Sequence, residues 1–161
     1  MEIRKTTAQD LDAVMALYTQ ARQFMQANGN ASQWGNNHPA RELIEQDVRE
    51  GTSYVCTDGG DIIAVFCLQT EPEPTYRQIH GGVWLSDAPY VTIHRVAASG
   101  GRGAATFCIN WCINQFGNVR ADTHADNLPM QRVFEKTGFV RCGTIYVEDG
   151  TPRIAYQTKQ V

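Results

Sequence analysis

A run of β-branched and aromatic residues, Tyr90 to Val96, leads through Gly100-Gly101-Arg102-Gly103 straight into Ala104-Ala105-Thr106. The first segment favours a pleated strand and the last a helix start, so the glycines must turn one into the other within a few residues. A strand that feeds a helix this closely belongs to a fold built from layers of sheet and helix. The first N–H groups of a helix have no intrahelical acceptor, and the helix dipole places positive charge there, so the turn is a ready anion site. Glycines let a diphosphate approach the main chain without meeting a Cβ. The turn reads as a pyrophosphate cradle.

The rest of the chain supplies the layers. Residues 2–6 are short and extended, and Thr7 with Asp10 forms a helix-start signal ahead of Leu11, Val14, Met15, Tyr18, Ala21 and Met25 at helical spacing, stopped by Gly29. A loop from Asn30 to His38 carries Trp34. Pro39 is expected to open a second helix with Leu43, Ile44 and Val48 on one face and Gly51 as its end. Two strands, 52–57 and 61–70, flank the turn signal Asp58-Gly59-Gly60, predicting a hairpin. Residues 71–89 hold several prolines and glycines and cannot form a regular element; a loop of this length in a small domain is often functional. After the strand–glycine–helix unit, which ends at Gly117, come a strand at 119–126, a helix from Leu128 to Thr137 and a final hairpin around Asp149-Gly150. The order β-α-α-β-β-β-α-β-α-β-β predicts a mixed α/β (α+β) fold.

At 161 residues the chain is expected to be one domain, residues 1–161, with a substantial core. The net charge of −3 argues against nucleic acid as the main partner, which usually demands a basic face. "MEIRKTTAQD" has no apolar segment behind its charges, so no signal peptide, membrane span or membrane association is expected. The five cysteines form no Cys-x-x-Cys pair and no His cluster completes a metal set, so no metal is expected; buried thiols and a reducing cytoplasm fit best.

The element order and two motifs together resemble the GCN5-related N-acetyltransferase (GNAT) superfamily, over almost the whole chain. The family's glycine loop reads Gln/Arg-x-x-Gly-x-Gly/Ala, and Gly103 and Ala105 match it, while Gly100 stands where Gln or Arg is usual. The second motif is "DNLPMQRVFEKTGF", which is similar to the family's Asn-containing helix ending in Lys136-Thr137-Gly138-Phe139. The resemblance implies a mostly antiparallel central sheet flanked by helices on both faces, and acetyl-CoA as co-substrate. It further implies that the main chain at Val96 and Ala98 holds the pantetheine arm, and that the N–H groups of Gly101, Arg102, Gly103, Ala104 and Ala105 take the pyrophosphate. Asn127 would reach the pantetheine side. The family's usual Tyr, whose hydroxyl can protonate the departing thiolate, is replaced here by Phe134. From its spacing to Met130, Phe134 is expected to turn its ring inward and pack beside the thiol.

Acetyl transfer to an amine needs an oxyanion donor and a base. The Val96 N–H is the candidate donor. His94, two residues earlier and so expected on the same face, is the candidate base, with a hydrogen-bonded sheet histidine as the competing reading. His124, Glu71 and Glu73 are further candidates, and Trp34, Tyr76 and Trp84 are candidate walls of an acceptor site. Tyr146 is the nearest alternative acid. The acceptor is expected to be a small-molecule or peptide amine, and homodimers are common in the family. Two other readings compete. Gly101-x-Gly103 with Asp122 about 20 residues on also fits a dinucleotide-dependent oxidoreductase. The absent Tyr leaves a CoA-binding sensor or interaction domain without catalysis as an alternative.

Overall fold

The computed structural model describes residues 1–160. Its strands are β1 (Glu2–Lys5), β2 (Ser53–Asp58), β3 (Asp61–Gln69), β4 (Val91–Ala98), β5 (Val119–Thr123), β6 (Phe139–Tyr146) and β7 (Pro152–Thr158). Its helices are α1 (Leu11–Ala27), α2 (Arg41–Glu50), α3 (Ala104–Phe116) and α4 (Leu128–Lys136), with short 3-10 turns at Ala8–Asp10 and Pro74–Tyr76. The strands form one seven-stranded sheet in the order β1-β2-β3-β4-β5-β7-β6. It is mostly antiparallel, as expected, and β4 with β5 is a parallel pair. The chain divides into two compact packing units.

The first unit comprises residues 1–68 and 95–108. Its helices start and stop where local chemistry dictates. The Thr7 N–H donates to Asp10 Oδ2 at 2.8 Å, closing a reciprocal cap, and Gly51 ends α2 in the left-handed region at φ 73°. The second helix begins at Arg41, not at Pro39; Ala40 occupies the extended position before it. In the β2–β3 hairpin Gly59 and Gly60 both take positive φ, the turn geometry that matches strand twist. Val14, Leu17, Tyr18, Ile44, Val55, Val65 and Ala97 build the core, and Trp34 joins it edge-on to Tyr18. Trp34 is therefore a core residue and pins its loop; it does not wall a substrate site.

The second unit comprises residues 69–94 and the chain from Ile109 onward. Its irregular segment, 71–89, is held closely by the strands. His80 and Thr144 exchange two main-chain hydrogen bonds, of 2.9 and 2.8 Å, so the loop adds one rung to β6. A side chain at Gly82 would collide with the Cys142 carbonyl, which is why this close approach needs glycine. The buried Gln157 amide accepts from the Leu85 and Ser86 N–H groups and donates to Asn118 Oδ1. The Arg120 guanidinium lies between Trp84 and Tyr90, 4.0 and 4.1 Å from the ring centroids. Tyr76, Ile145 and Ala155, with Trp84 and Tyr90 packed against them, form a core of which this loop is a working part.

Candidate active site

In the first unit, the second half of β4 departs from regular strand geometry at Arg95, the one non-glycine residue with positive φ (52°) among those described. A left-handed conformation is unfavourable for a residue with a long side chain and persists only where its surroundings over-determine it. Two buried partners do so. Arg95 donates to both Asp47 oxygens at 2.8 and 2.7 Å, and its carbonyl accepts the Tyr18 hydroxyl at 2.8 Å. Burial holds the Tyr18 hydroxyl far above its usual range, so it remains a donor. The turn at Arg95 swings the following peptide, which carries the Val96 N–H, off the strand's alternation. The inference that His94 and Val96 share a face therefore loses its basis, because period-two reasoning does not carry across a left-handed residue.

Beyond Ala98 the chain reaches the glycine turn. Gly101 (φ 81°) and Gly103 (φ 69°) both need the left-handed region, and a Cβ at either would meet nothing within 4 Å. The Gly103 carbonyl accepts the Phe107 N–H at 3.0 Å, so helix α3 starts immediately after it and the N–H groups of Ala104, Ala105 and Thr106 form its first turn. Ala104 is buried, while Arg102 reaches across to Asp58 Oδ2 at 2.8 Å. The Arg102 side chain is thus engaged, leaving its main chain as the part available to an anion.

In the second unit, titratable groups converge on the first half of β4. His94 Nε2 lies 3.2 Å from Glu73 Oε2. Glu73 is locked in turn: its other oxygen accepts the Thr75 hydroxyl at 2.9 Å, and its N–H donates to the Tyr90 hydroxyl at 3.0 Å. The bond to His94, aided by Thr75, holds the Glu73 carboxyl below the usual carboxylate range, so it accepts only. The proton of a neutral His94 consequently sits on Nε2, and Nδ1 offers a lone pair with no hydrogen-bond partner among the described residues. Of the two carboxylates, Glu71 is exposed. Nearby, the buried Tyr76 hydroxyl donates to Asp122 Oδ2 at 2.7 Å, and Trp84 Nε1 donates to the Tyr76 carbonyl at 2.9 Å. Neither Tyr76 nor Trp84 is a free wall, and Asp122, partly buried and bonded to Tyr76, is not poised for a ribose. The link between Tyr76 and Asp122 is invisible to sequence reasoning because 46 residues separate them.

Helix α4 carries the remaining candidates. Asn127 caps it, its side chain accepting from the Met130 N–H at 3.2 Å. Phe134 is buried with its ring 5.0 Å from both Phe139 and Tyr156. His124 Nδ1 accepts from the Asp126 N–H at 3.0 Å, the geometry of a local turn. Tyr146 is half exposed against His80, on a hollow of about 280 Å³ lined by Pro74, Thr75, Arg77 and Gln78. All five cysteines are buried and outside any disulfide, with Cys67 and Cys112 pushed up by burial to about 11 and about 12. Among the described residues no metal-ligating cluster occurs, and no helix is long and apolar enough to cross a membrane.

The chain as a whole is similar to known proteins. The family model "Acetyltransferase (GNAT) domain" matches residues 1–140. No curated protein sequence matches the chain. A GNAT-family acetyltransferase from Streptococcus agalactiae 2603 is similar at 30% identity, covering 99% of this chain and 95% of the other, with a TM-score of 0.91. The fold is shared with a ribosomal-protein-alanine N-acetyltransferase from Brucella melitensis, at 17% identity, TM-score 0.65 and coverage of 99% and 100%. It is shared too with an aminoglycoside acetyltransferase held with coenzyme A and kanamycin, at 17% identity, TM-score 0.70 and coverage of 98% and 94%. The strand order, the glycine turn at the start of α3 and the match over most of its length place this chain in the GNAT family of acetyltransferases.

Proposed function

We propose that the chain, acting as one domain, moves an acetyl group from acetyl-CoA to a primary amine by direct transfer. The observation that carries this reading is the glycine turn, whose two left-handed glycines put no Cβ beside the start of α3. Acetyl-CoA supplies the activated thioester. Gly101, Arg102, Gly103, Ala104 and Ala105 would hold its pyrophosphate through their N–H groups and Val96 and Ala98 its pantetheine arm and carbonyl, with Asn127 and Phe134 as further cofactor-binding candidates.

His94 takes the proton of the amine at Nδ1, while Glu73 accepts from Nε2–H and stabilises the charge that develops on the ring. This is the logic of a base oriented by a carboxylate. Nothing in the set of cysteines supports an acetyl-enzyme, since all five are buried and burial raises the thiols of Cys56, Cys67, Cys112 and Cys142. Thiols outside any disulfide also fit a cytoplasmic setting, and a homodimer is the assembly we expect, checked by light scattering.

Two measurements test the reading. Calorimetry should show acetyl-CoA binding that weakens at least about tenfold in Gly103→Asn, since Asn tolerates positive φ yet places a side chain in the cradle. Val would strain the left-handed backbone with or without ligand, so it is the poorer probe. Release of free CoA thiol in the presence of an amine panel, small amines and peptide N-termini included, should follow. The absence of a hydroxyl on Phe134 favours one rival, a CoA-binding module without catalysis. Tight acetyl-CoA binding with no thiol released by any amine would establish that rival.

A further inference from the structure

The Tyr76–Asp122 pair is an unusual thing for a domain core to contain. Tyr76 is 1% exposed, and Asp122 is partly buried on β5 with no Lys, Arg or His within ion-pair distance among the described residues. Burial raises the carboxyl of Asp122, and Glu73 adds to this; the Tyr76 hydrogen bond, His94 and Arg153 act in the opposite direction. A phenylalanine facing a leucine would fill such space without desolvating a carboxylate, so tight packing alone does not explain the pair.

Its position does. Tyr76 closes the single 3-10 turn Pro74–Tyr76 that Glu73 caps, and its N–H donates to the Glu73 carbonyl at 3.0 Å. Its ring lies against the His94 imidazole, centroids 6.4 Å apart. One residue therefore neighbours both members of the His94–Glu73 pair, through its main chain to Glu73 and through its ring to His94. The hydroxyl at its far end is bonded to a strand, β5, which hydrogen bonds on both edges hold in the sheet. Trp84 secures the same residue from the loop side, by its bond to the Tyr76 carbonyl and ring contact at 5.1 Å.

We propose that Tyr76 and Asp122 are positioning residues that anchor the Glu73-bearing turn and the His94 ring to β5, so that the Glu73–His94 hydrogen bond is held before any substrate arrives. The catalytic meaning of this rests on the reading of His94 as proton acceptor; the anchoring itself does not. Without the anchor, a turn of one helical cycle on a loop of this length has little to prevent rotation of Glu73 away from the imidazole.

The test follows the His94 Nε2–H by proton–nitrogen NMR, which needs neither acetyl-CoA nor an acceptor. In the native protein this proton should give a downfield, exchange-protected signal. Asp122→Asn keeps an oxygen to accept the Tyr76 hydroxyl and should retain the signal. Tyr76→Phe and Asp122→Leu should raise its exchange at least about tenfold or erase it. The double change Tyr76→Phe with Asp122→Leu removes both polar partners together, so it should fold even where a single change does not, and should still lose the signal. In turnover, the same variants should lower kcat about tenfold while KM for acetyl-CoA stays within about twofold. A protected Nε2–H that survives in the folded double variant would overturn the proposal. Loss of the signal in that variant, joined with full kcat for His94→Gln, would keep the anchor and remove the role of His94 as base.

Discussion

At the scale of single residues, Arg95 shows how this chain holds a conformation its own chemistry disfavours. The strained backbone, the two-pronged bond to Asp47 and the Tyr18 hydroxyl form one unit. Asp47→Ala would leave the guanidinium in a largely buried place with no carboxylate, and should lower stability by about 3–5 kcal/mol in chemical denaturation. Asp47→Asn, which keeps one acceptor, should cost less. Asp122 gives a prediction of opposite character. Its carboxyl is raised by burial, so its proton-linked stabilisation is fully present below the ordinary Asp value of 3.8 and is lost as pH rises through the folded-state value. Asn has no such loss. The stability of Asp122→Asn relative to the native protein should therefore improve from acid toward neutral pH, in denaturation curves taken across that range. Glu73, whose carboxyl is lowered, runs the other way, stabilising above its ordinary 4.5 and losing that as pH falls, but it is common to both proteins.

At the scale of elements, α4 is a short helix whose identity rests on one buried ring. Phe134 sits between Phe139 and Tyr156, and the Asn127 cap and Lys136 near the C-terminus suit the helix dipole. Phe134→Ala removes this packing and should destabilise the protein by about 3–5 kcal/mol, seen in thermal or chemical melts. Phe134→Tyr keeps the ring and restores the family's usual hydroxyl. It should leave acetyl-CoA affinity within a few-fold and hold or raise kcat, read by calorimetry and thiol release. The neighbouring Tyr156 is fully buried, and its hydroxyl is enclosed with no hydrogen-bond partner among the described residues. The loop 71–89 teaches the converse lesson. Its prolines and glycines announce irregular chain, and they do so correctly. Yet Arg120, Gln157 and Asp122, all distant in sequence, tie it to β5 and β7.

At the scale of the whole molecule, the buried thiols give one more measurable consequence. With all five enclosed, a thiol reagent should label the native protein slowly and the unfolded protein fully, and brief alkylation of the native form should leave acetyl transfer intact. Sequence alone determined the order of elements, because each helix and strand here carries its own periodicity and its own stop. Thr7 with Asp10, Gly51, the Asp58-Gly59-Gly60 turn and Gly117 act within a few residues of themselves, where local sterics and hydrogen bonds decide. The glycine turn was legible for the same reason: φ > 0 and a bare helix start are properties of the segment itself. Tertiary structure alone decided that Trp34 is core, that Arg95 breaks the alternation after His94, and that Glu73 is the carboxylate beside that histidine. It also decided that Tyr76 and Asp122 meet. These pairings join groups tens of residues apart, and their energies come from burial and mutual geometry, which no local pattern encodes.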